Sequence, residues 1–425
     1  MLKTIENALK NAGVSLWRIE TTETRTAELY FIRKALDLPR YNEVTSYEVT
    51  VFRDFTEDGV RYRGSSSASL SPGMTEEETG RKIAEAYYAA QFVKNPWYEL
   101  PDAVSEPHRA SRSDLSALSV QEIAARAGET VLSADTDGDA FVNSLEVFAS
   151  RKSVGIRTSY GLSVGYDSDR LSGEFVVQCV TPQDVEQYRS FSYDSLDLPA
   201  LYSKVRDAIR DVRLRAAATE TPESGTYDLL LTGDNVKELF SYYDARSSAS
   251  IIYAGYSTWK PGDAVQGEVT DGEPLKITFI AGDPYSPEGI PMKDRVLMED
   301  GKLVSVTGSA RFCRYLGVEP TGSYRKIRVD AGTVPLADLR KEGVLEATCF
   351  SDFQMDFFDG HFAGEMRLST LIRDGKAVPM TGGSVNGSIL ESQGRLIFSK
   401  ERYKTDTYDG PYAVLVRGVR VAGVS

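Results

Sequence analysis

The sequence predicts an α+β fold: N-terminal α/β modules with mixed or antiparallel sheets, followed by a β-rich C-terminal domain. Three observations carry this. Short alternating runs of β-branched and aromatic residues recur along 425 residues, too many for one compact core. Two helix starts carry a capping box, Thr75 with Glu78 and Ser119 with Glu122. Asp58-Gly59, Asp300-Gly301 and Asp374-Gly375 each stand between apolar runs, and Asp-Gly tolerates the positive φ angles of a tight hairpin turn.

The elements follow in order. "LKTIENALKNAG" sets Leu2, Ile5 and Leu9 on one helical face and stops at Gly13. "SLWRIE", "AELYFIRK" and "SYEVTVFRDF" read as strands; in the last, Tyr47, Val49 and Val51 alternate with Glu48 and Thr50. "VRYRGSSSASL" follows the Asp58-Gly59 turn, although "GSSSASLSPG" (64–73) inside it has the composition of a flexible loop. "TEEETGRKIAEAYYAAQF" is a helix with Ile83, Tyr87 and Ala90 as its buried stripe.

Residues 95–114 contain Pro96, Pro101 and Pro107 and no apolar period, which marks a boundary. The helix "SVQEIAARAG" opens a second module, strands follow, and a long helix closes it with Leu201, Val205, Ile209 and Val212 at helical spacing. "ETPESG" (220–225) is the next boundary. The strand "TYDLLLTG" and the helix "DNVKELFSYYDAR" then lead into a β-rich remainder, where "VLMEDGKLVSV" and "TLIRDGKAVPM" share L-x-x-D-G-K-x-V. The expected modules are 1–105, 112–219 and 222–425.

Composition narrows the function. Net charge is −13, which phosphate backbones repel, so no nucleic-acid partner is expected. The densest basic stretch, "KVRDAIRDVRLR" (204–215), interleaves Asp207 and Asp211 and reads as a solvated helix face. No apolar run nears the roughly 20 residues needed to cross a bilayer, and "MLKTIENALKNAG" lacks a signal-peptide core, so the expected location is cytoplasmic, with no membrane partner. Three scattered cysteines, Cys179, Cys313 and Cys349, fit reduced thiols and form no zinc cluster.

One motif asks to be tested. "DTDGDAFVNSLE" (135–146) spaces Asp135, Asp137, Asp139 and Glu146 as an EF-hand calcium loop does. Its sixth position is Ala140 where that loop needs glycine, and "GETVLSA" before it reads as β rather than helix. A turn between strands is expected there. Of the two histidines, His108 lies in the proline-bearing segment; His361, between Asp359 and Glu365, is the weak candidate for a general base. HExxH, GxSxG, P-loop and post-strand GxGxxG patterns are absent from the sequence.

The order of segments resembles the TldD/PmbA family. "RYRGSSSASLSPGMTEEE" is similar to its N-terminal stretch, "SVGIRTSYGLSVGYDSDRLSGEFVVQCV" to its middle strand pair, and "ESGTYDLLLTGDNVKELFSYY" to the opening of its C-terminal domain. "DRVLMEDGKLVSVTGSARFCRYLGVEPTGSYRK" resembles the family's "T-x-L-I-E-x-G-x-L" strands, "A-R-x-L-G" helix and "S-T-G-N-x-x-R" turn. "DGHFAGEMRLSTLIRDGKAVPMTGGSVNGSIL" is similar to its closing blocks.

The resemblance implies a metalloprotease relation, with an HExxxH helix after the first strand of the C-terminal domain in TldD-type members. Here that helix has no histidine, so the resemblance points to the PmbA (TldE) side: no metal, no cofactor, and a TldD-like HExxxH subunit or a second copy as partner. Peptide or unfolded protein would be the substrate. Thr321, Gly322 and Arg325, and Gly360 and His361, fall on the family's loops and are the groove candidates, although "GDFSRG" reads "GHFAGE" and "S-T-G-N" reads "PTGS". Two other classes stay open: a stand-alone hydrolase using His361, and a homodimeric peptide-binding scaffold. The aromatic clusters "LFSYYDA" and "FQMDFFDGHF" are expected to contribute to an interface.

Overall fold

The computed structural model describes residues 1–136 and 138–423. Helix α1 (Leu2–Asn11) buries Ile5, Ala8 and Leu9. Strands β1 (Leu16–Ile32), β2 (Ala35–Glu57) and β3 (Val60–Leu70) form a meander. Its second turn is at Asp58 and Gly59, both in the left-handed region at φ 51° and 78°, as the dipeptide requires. Helix α2 (Glu76–Ala90) starts with the complete Thr75–Glu78 capping box and buries Thr79, Ile83, Ala86 and Ala90. Its buried stripe packs with Ile5, Leu9, Val49 and Val51.

The serine-rich run is strand, not loop. A Cβ placed on Gly64 would lie 1.8 Å from the Ala90 carbonyl oxygen, so the missing side chain is what lets α2 end against β3.

Helix α3 (Val120–Ala134) runs further than its sequence suggests. "GETVLSA" is helical because Val131 and Ala134 continue the buried face of Ile123 and Ala127, and packing overrides β-propensity. The acidic motif therefore joins a helix to a strand. Strands β4 (Ala140–Thr158), β5 (Ser163–Cys179) and β6 (Val185–Tyr193) and helix α4 (Leu198–Ala217) complete this half. Leu201, Val205, Ile209 and Val212 are all buried.

Strand β1 pairs with both β2 and β4. One antiparallel sheet, ordered β3-β2-β1-β4-β5-β6, thus runs through everything before residue 194, with one core against α1 and α2 and another against α3 and α4. Residues 35–46 of β2 have β1 on one side and no strand on the other among the described residues. The proline-bearing segment is tied down: Ser105 bridges Ser163 and Arg109 bridges Tyr166, both in parallel.

The C-terminal part opens with β7 (Gly225–Thr232) and α5 (Asp234–Arg246). One mixed sheet orders Lys302–Leu303, Arg295–Glu299, Ile277–Ile280, Lys326–Val329, Tyr408–Pro411 and Arg402–Lys404. A second orders Val344–Met355, β7, Ala413–Ala422, Ser384–Ser388, His361–Arg373 and Lys376–Met380. In this sheet Val344–Met355 also pairs with His361–Arg373, which closes five strands into a ring. Both L-x-x-D-G-K-x-V segments are hairpins turning at Asp-Gly, with Asp300 and Asp374 at φ 50° and 53°.

The two halves meet through polar contacts. Lys326 Nζ lies 2.5 Å from the Asp194 carboxylate, and the Asp406 carboxylate takes Arg325 at 2.8 Å and Arg170 at 3.5 Å. Tyr285 from the C-terminal part sits 1% exposed among Val154, Ile156, Leu162, Val164 and Tyr166 of the N-terminal sheet. Among the described residues no helix is long and apolar enough to cross a membrane.

Candidate functional site

Helix α5 is the element to which the resemblance assigns metal ligands. It leaves β7 through Gly233 at φ 60°, carries Asp234 in its first turn and Arg246 in its last, and so suits the helix dipole at both ends. Val236, Leu239, Phe240, Tyr242 and Tyr243 face inward. Phe240 meets Phe398 edge-on at 6.0 Å. Tyr242 meets both Tyr243 (5.3 Å) and Trp259 (5.7 Å) edge-on. The Arg246 guanidinium lies 5.5 Å from the Trp259 ring centre. The Tyr243 hydroxyl donates to Gln393 Oε1 at 2.8 Å, and burial holds it well above the ordinary phenol range.

This inner face is an aromatic core with no donor set. Of the helix carboxylates, burial pushes Asp244 up to about 6, with Lys237 only partly offsetting it. Among the described residues no group of three or more His, Cys, Asp or Glu side chains is placed to hold a metal ion. The residues on α5 do not fit the metal that the family's peptidases imply. In the acidic motif, Asp135 hydrogen-bonds the Val142 N–H at 3.4 Å and Asp139 pairs with Arg213 at 2.6 Å; Asp137 lies outside the described residues. Glu146 sits within β4, registered opposite Tyr30 and Glu174.

The groove candidates fall in separate places. Thr321 is buried, its Oγ accepting from the Gly308 N–H at 3.1 Å and donating to the Gly322 carbonyl at 2.9 Å. Gly322, at φ 75°, would place a Cβ 2.7 Å from Ser286 Cβ. Arg325 is half-exposed and turned to Asp406 at the junction of the two halves. Gly360, at φ 76°, packs against Ile389, Leu390 and Tyr242. His361 is exposed, with its Nδ1 3.1 Å from Asp359, whose carboxylate also accepts the His361 N–H at 3.0 Å. Among the described residues His361 has no hydroxyl or thiol partner. Phe240, Tyr242, Tyr243 and Phe362 are core residues, so the expected aromatic interface shrinks to rings such as Tyr256 and Phe358, both about half exposed and edge-on at 5.1 Å.

What the structure does assemble was not visible in the sequence. A cavity of about 250 Å³ lies between β6, α4, the start of α5 and the strand Val344–Met355. Arg189, Lys204, Asp207, Asp211, Asp234, Cys349 and Tyr403 line it. Lys204 Nζ donates to Tyr403 Oη at 2.7 Å and lies 3.2 Å from Asp234; the Tyr403 hydroxyl reaches Asp234 at 2.8 Å. Burial lowers the Lys204 pKa, with Asp234 working against it. The stretch expected to be a solvated helix face is therefore partly enclosed: Asp211 is 5% exposed. Only the mixed charge of "KVRDAIRDVRLR" could have hinted at this. His108, expected in a solvated linker, is half-exposed and pairs with Asp167 at 2.7 Å.

Comparison with known proteins adds three findings. Residues 224–423 match the family model described as PmbA/TldA metallopeptidase C-terminal domain. A protein of Methanothermobacter thermautotrophicus described as a metalloprotease is 28% identical over 209 residues, 44% of this chain and 45% of that relative, so the match spans under half the relative's length. TldE from Thermococcus kodakarensis superposes over 99% of this chain and 100% of its own at TM-score 0.79 and 15% identity. A Thermotoga maritima protein designated a candidate modulator of a DNA gyrase superposes over 99% of both chains at TM-score 0.78 and 17% identity. These last two likenesses are of fold.

Proposed function

We propose, from the premise that this chain belongs to the TldD/PmbA family, that it is the metal-free, TldE-like subunit of a cytoplasmic peptide-processing protease. The match of residues 224–423 to the PmbA/TldA metallopeptidase C-terminal domain supports the metallopeptidase relation. One observation supports the subunit role: α5, the helix to which the resemblance assigns the family's metal ligands, packs Phe240, Tyr242 and Tyr243 into a core with Trp259 and Phe398. A helix committed to that packing has a structural task. The catalytic ligands then belong to a partner bearing HExxxH, and this chain supplies walls of the chamber and part of a groove for an extended or unfolded peptide. A second copy is the alternative partner.

Co-expression with an HExxxH-bearing relative tests the proposal. The two chains should co-purify at a fixed ratio and cleave a fluorogenic peptide that neither cleaves alone, and a chelator should abolish the activity. Cleavage by this chain alone, or failure of the pair to associate at micromolar concentration, would sink it.

A further inference from the structure

We propose that Lys204 is a covalent ligand site: its amine condenses with the carbonyl of a short, uncharged hydroxyaldehyde that enters the cavity between β6, α4, α5 and Val344–Met355. Three residues from three elements carry the chemistry. Lys204 comes from α4, Asp234 from the first turn of α5, and Tyr403 from the edge strand Arg402–Lys404. Their polar atoms form a closed triangle. Lys204 Nζ reaches Tyr403 Oη at 2.7 Å and Asp234 at 3.2 Å, and the Tyr403 hydroxyl donates to Asp234 at 2.8 Å. The Lys204 side chain is 13% exposed and that of Asp234 58%, so the amine lies behind a carboxylate that meets solvent.

An ion pair that served packing alone would be closed on all sides; this one borders about 250 Å³ of open space. An ammonium carries three N–H donors, and among the described residues Lys204 gives them to Tyr403 and Asp234, which leaves one. Burial is the largest influence on the Lys204 pKa and lowers it; Asp234 opposes this and Arg189 adds to it. Enclosed lysines of this kind serve as Schiff-base nucleophiles. Volume and charge set the ligand. The space is smaller than the roughly 300 Å³ at which drug-sized ligand sites begin, which suits a carbonyl compound of a few heavy atoms. With Lys204 as a neutral amine, Arg189 is the one cation among the described lining residues, against Asp207, Asp211 and Asp234. That balance disfavours an anionic carbonyl. Ser190, Thr348 and the carboxylates offer hydrogen-bond partners to hydroxyl groups.

In the reaction, the ammonium first gives one proton to water. The nitrogen lone pair then attacks the carbonyl carbon, and the C=O π pair moves onto oxygen. That oxygen takes the Tyr403 proton, and Tyr403 recovers one from the nitrogen. Next the nitrogen lone pair forms the C=N bond as the C–O bond breaks, and the departing hydroxide takes the remaining amine proton. R–NH₂ and O=CHR′ thus give R–N=CHR′ and H₂O, with nothing oxidised or reduced. Protonated, the imine keeps Asp234 as its carboxylate partner.

The folded full-length protein should be treated with glyceraldehyde and sodium cyanoborohydride, which reduces the imine to a stable amine, and mapped by mass spectrometry. The adduct should form on Lys204 at least about tenfold faster than on Lys34 and Lys94, whose side chains are 63% and 53% exposed. Glyoxylate, an anionic aldehyde, should label Lys204 about tenfold more slowly than glyceraldehyde does. Tyr403→Phe should slow labelling of Lys204 by about tenfold and leave Lys34 and Lys94 unchanged. Labelling in order of exposure, labelling of Lys204 only after denaturation, glyoxylate matching glyceraldehyde, or an unchanged rate in Tyr403→Phe would overturn the assignment. If Tyr403→Phe fails to fold, the ranking of lysines in the unaltered protein decides alone.

Discussion

The hydroxyl of Tyr285 donates a 2.6 Å hydrogen bond to the carboxylate of Glu106, and Arg109 stacks over the same ring at 4.8 Å. Tyr285 belongs to the C-terminal part, Glu106 and Arg109 to the proline-bearing segment, and the ring packs among Val154, Ile156 and Tyr166 of the N-terminal sheet, so three stretches of chain meet at one point. Tyr285→Ala should destabilise the protein by about 3–5 kcal/mol, the usual cost of emptying a buried aromatic site. Tyr285→Phe should cost clearly less, because the ring stays. Urea unfolding of both variants checks the order; equal losses would mean that the hydroxyl, and not the ring, holds the junction.

Gly64 admits no side chain. With a Cβ 1.8 Å from the Ala90 carbonyl oxygen, Gly64→Ala must push α2 off β3 and should cost roughly 3 kcal/mol. Gly138→Ala, in a turn where a Cβ meets nothing within 4 Å, should be close to neutral. Thermal melts of the two variants make the comparison.

Asp244 makes stability depend on pH in a stated direction. Burial raises its folded-state pKa to about 6, above the ordinary aspartate value, so the folded protein binds the proton more tightly than the unfolded chain. The associated stability is present below about pH 4 and is lost as pH rises through about 6. Asp244→Asn should therefore stabilise the protein at pH 8, by on the order of 1–3 kcal/mol, and do little at pH 4. A gain of equal size at both pH values would show that Asp244 does not titrate as described.

Metal content follows from the donor set of α5. Protein purified without chelators and then desalted should carry no stoichiometric zinc, iron or calcium by elemental analysis. About one equivalent of any of these would refute the reading of that helix.

His361→Ala should leave peptide binding and partner-dependent cleavage largely unchanged, since the imidazole faces solvent beside Asp359. A loss of about a hundredfold with the fold intact, the usual size for a general base, would revive a hydrolase centred on His361.

How much of this was legible in the sequence depends on how local each feature is. The capping boxes at Thr75–Glu78 and Ser119–Glu122 and the three Asp-Gly turns involve neighbouring residues only, and each could be read directly. "GETVLSA" could not, because its helicity comes from the apolar face that Val131 and Ala134 share with Ile123. The cavity was out of reach for a plainer reason. Residues 189, 204, 234, 349 and 403 are brought together by tertiary structure alone. Lys204 and Asp211 sit at helical spacings that look the same on an enclosed face as on a wetted one. The Thr321 and Gly360 loops were found by their likeness to a family, which gives position in the chain but not mutual geometry.

The unpaired stretch of β2 bears on how the protein behaves at high concentration. Residues 35–46 present Leu36, Leu38, Tyr41 and Val44 to solvent along a bare strand edge, the arrangement from which sheets polymerise. Pro39 lies in the middle of this stretch and has no N–H to give, and Asp37, Arg40 and Glu43 put charge on either side of it. An approaching strand would meet a broken ladder and would have to strip water from three ions. Proline and charge on an exposed edge are the devices by which sheets resist edge-to-edge pairing, and this edge of the six-stranded sheet carries both.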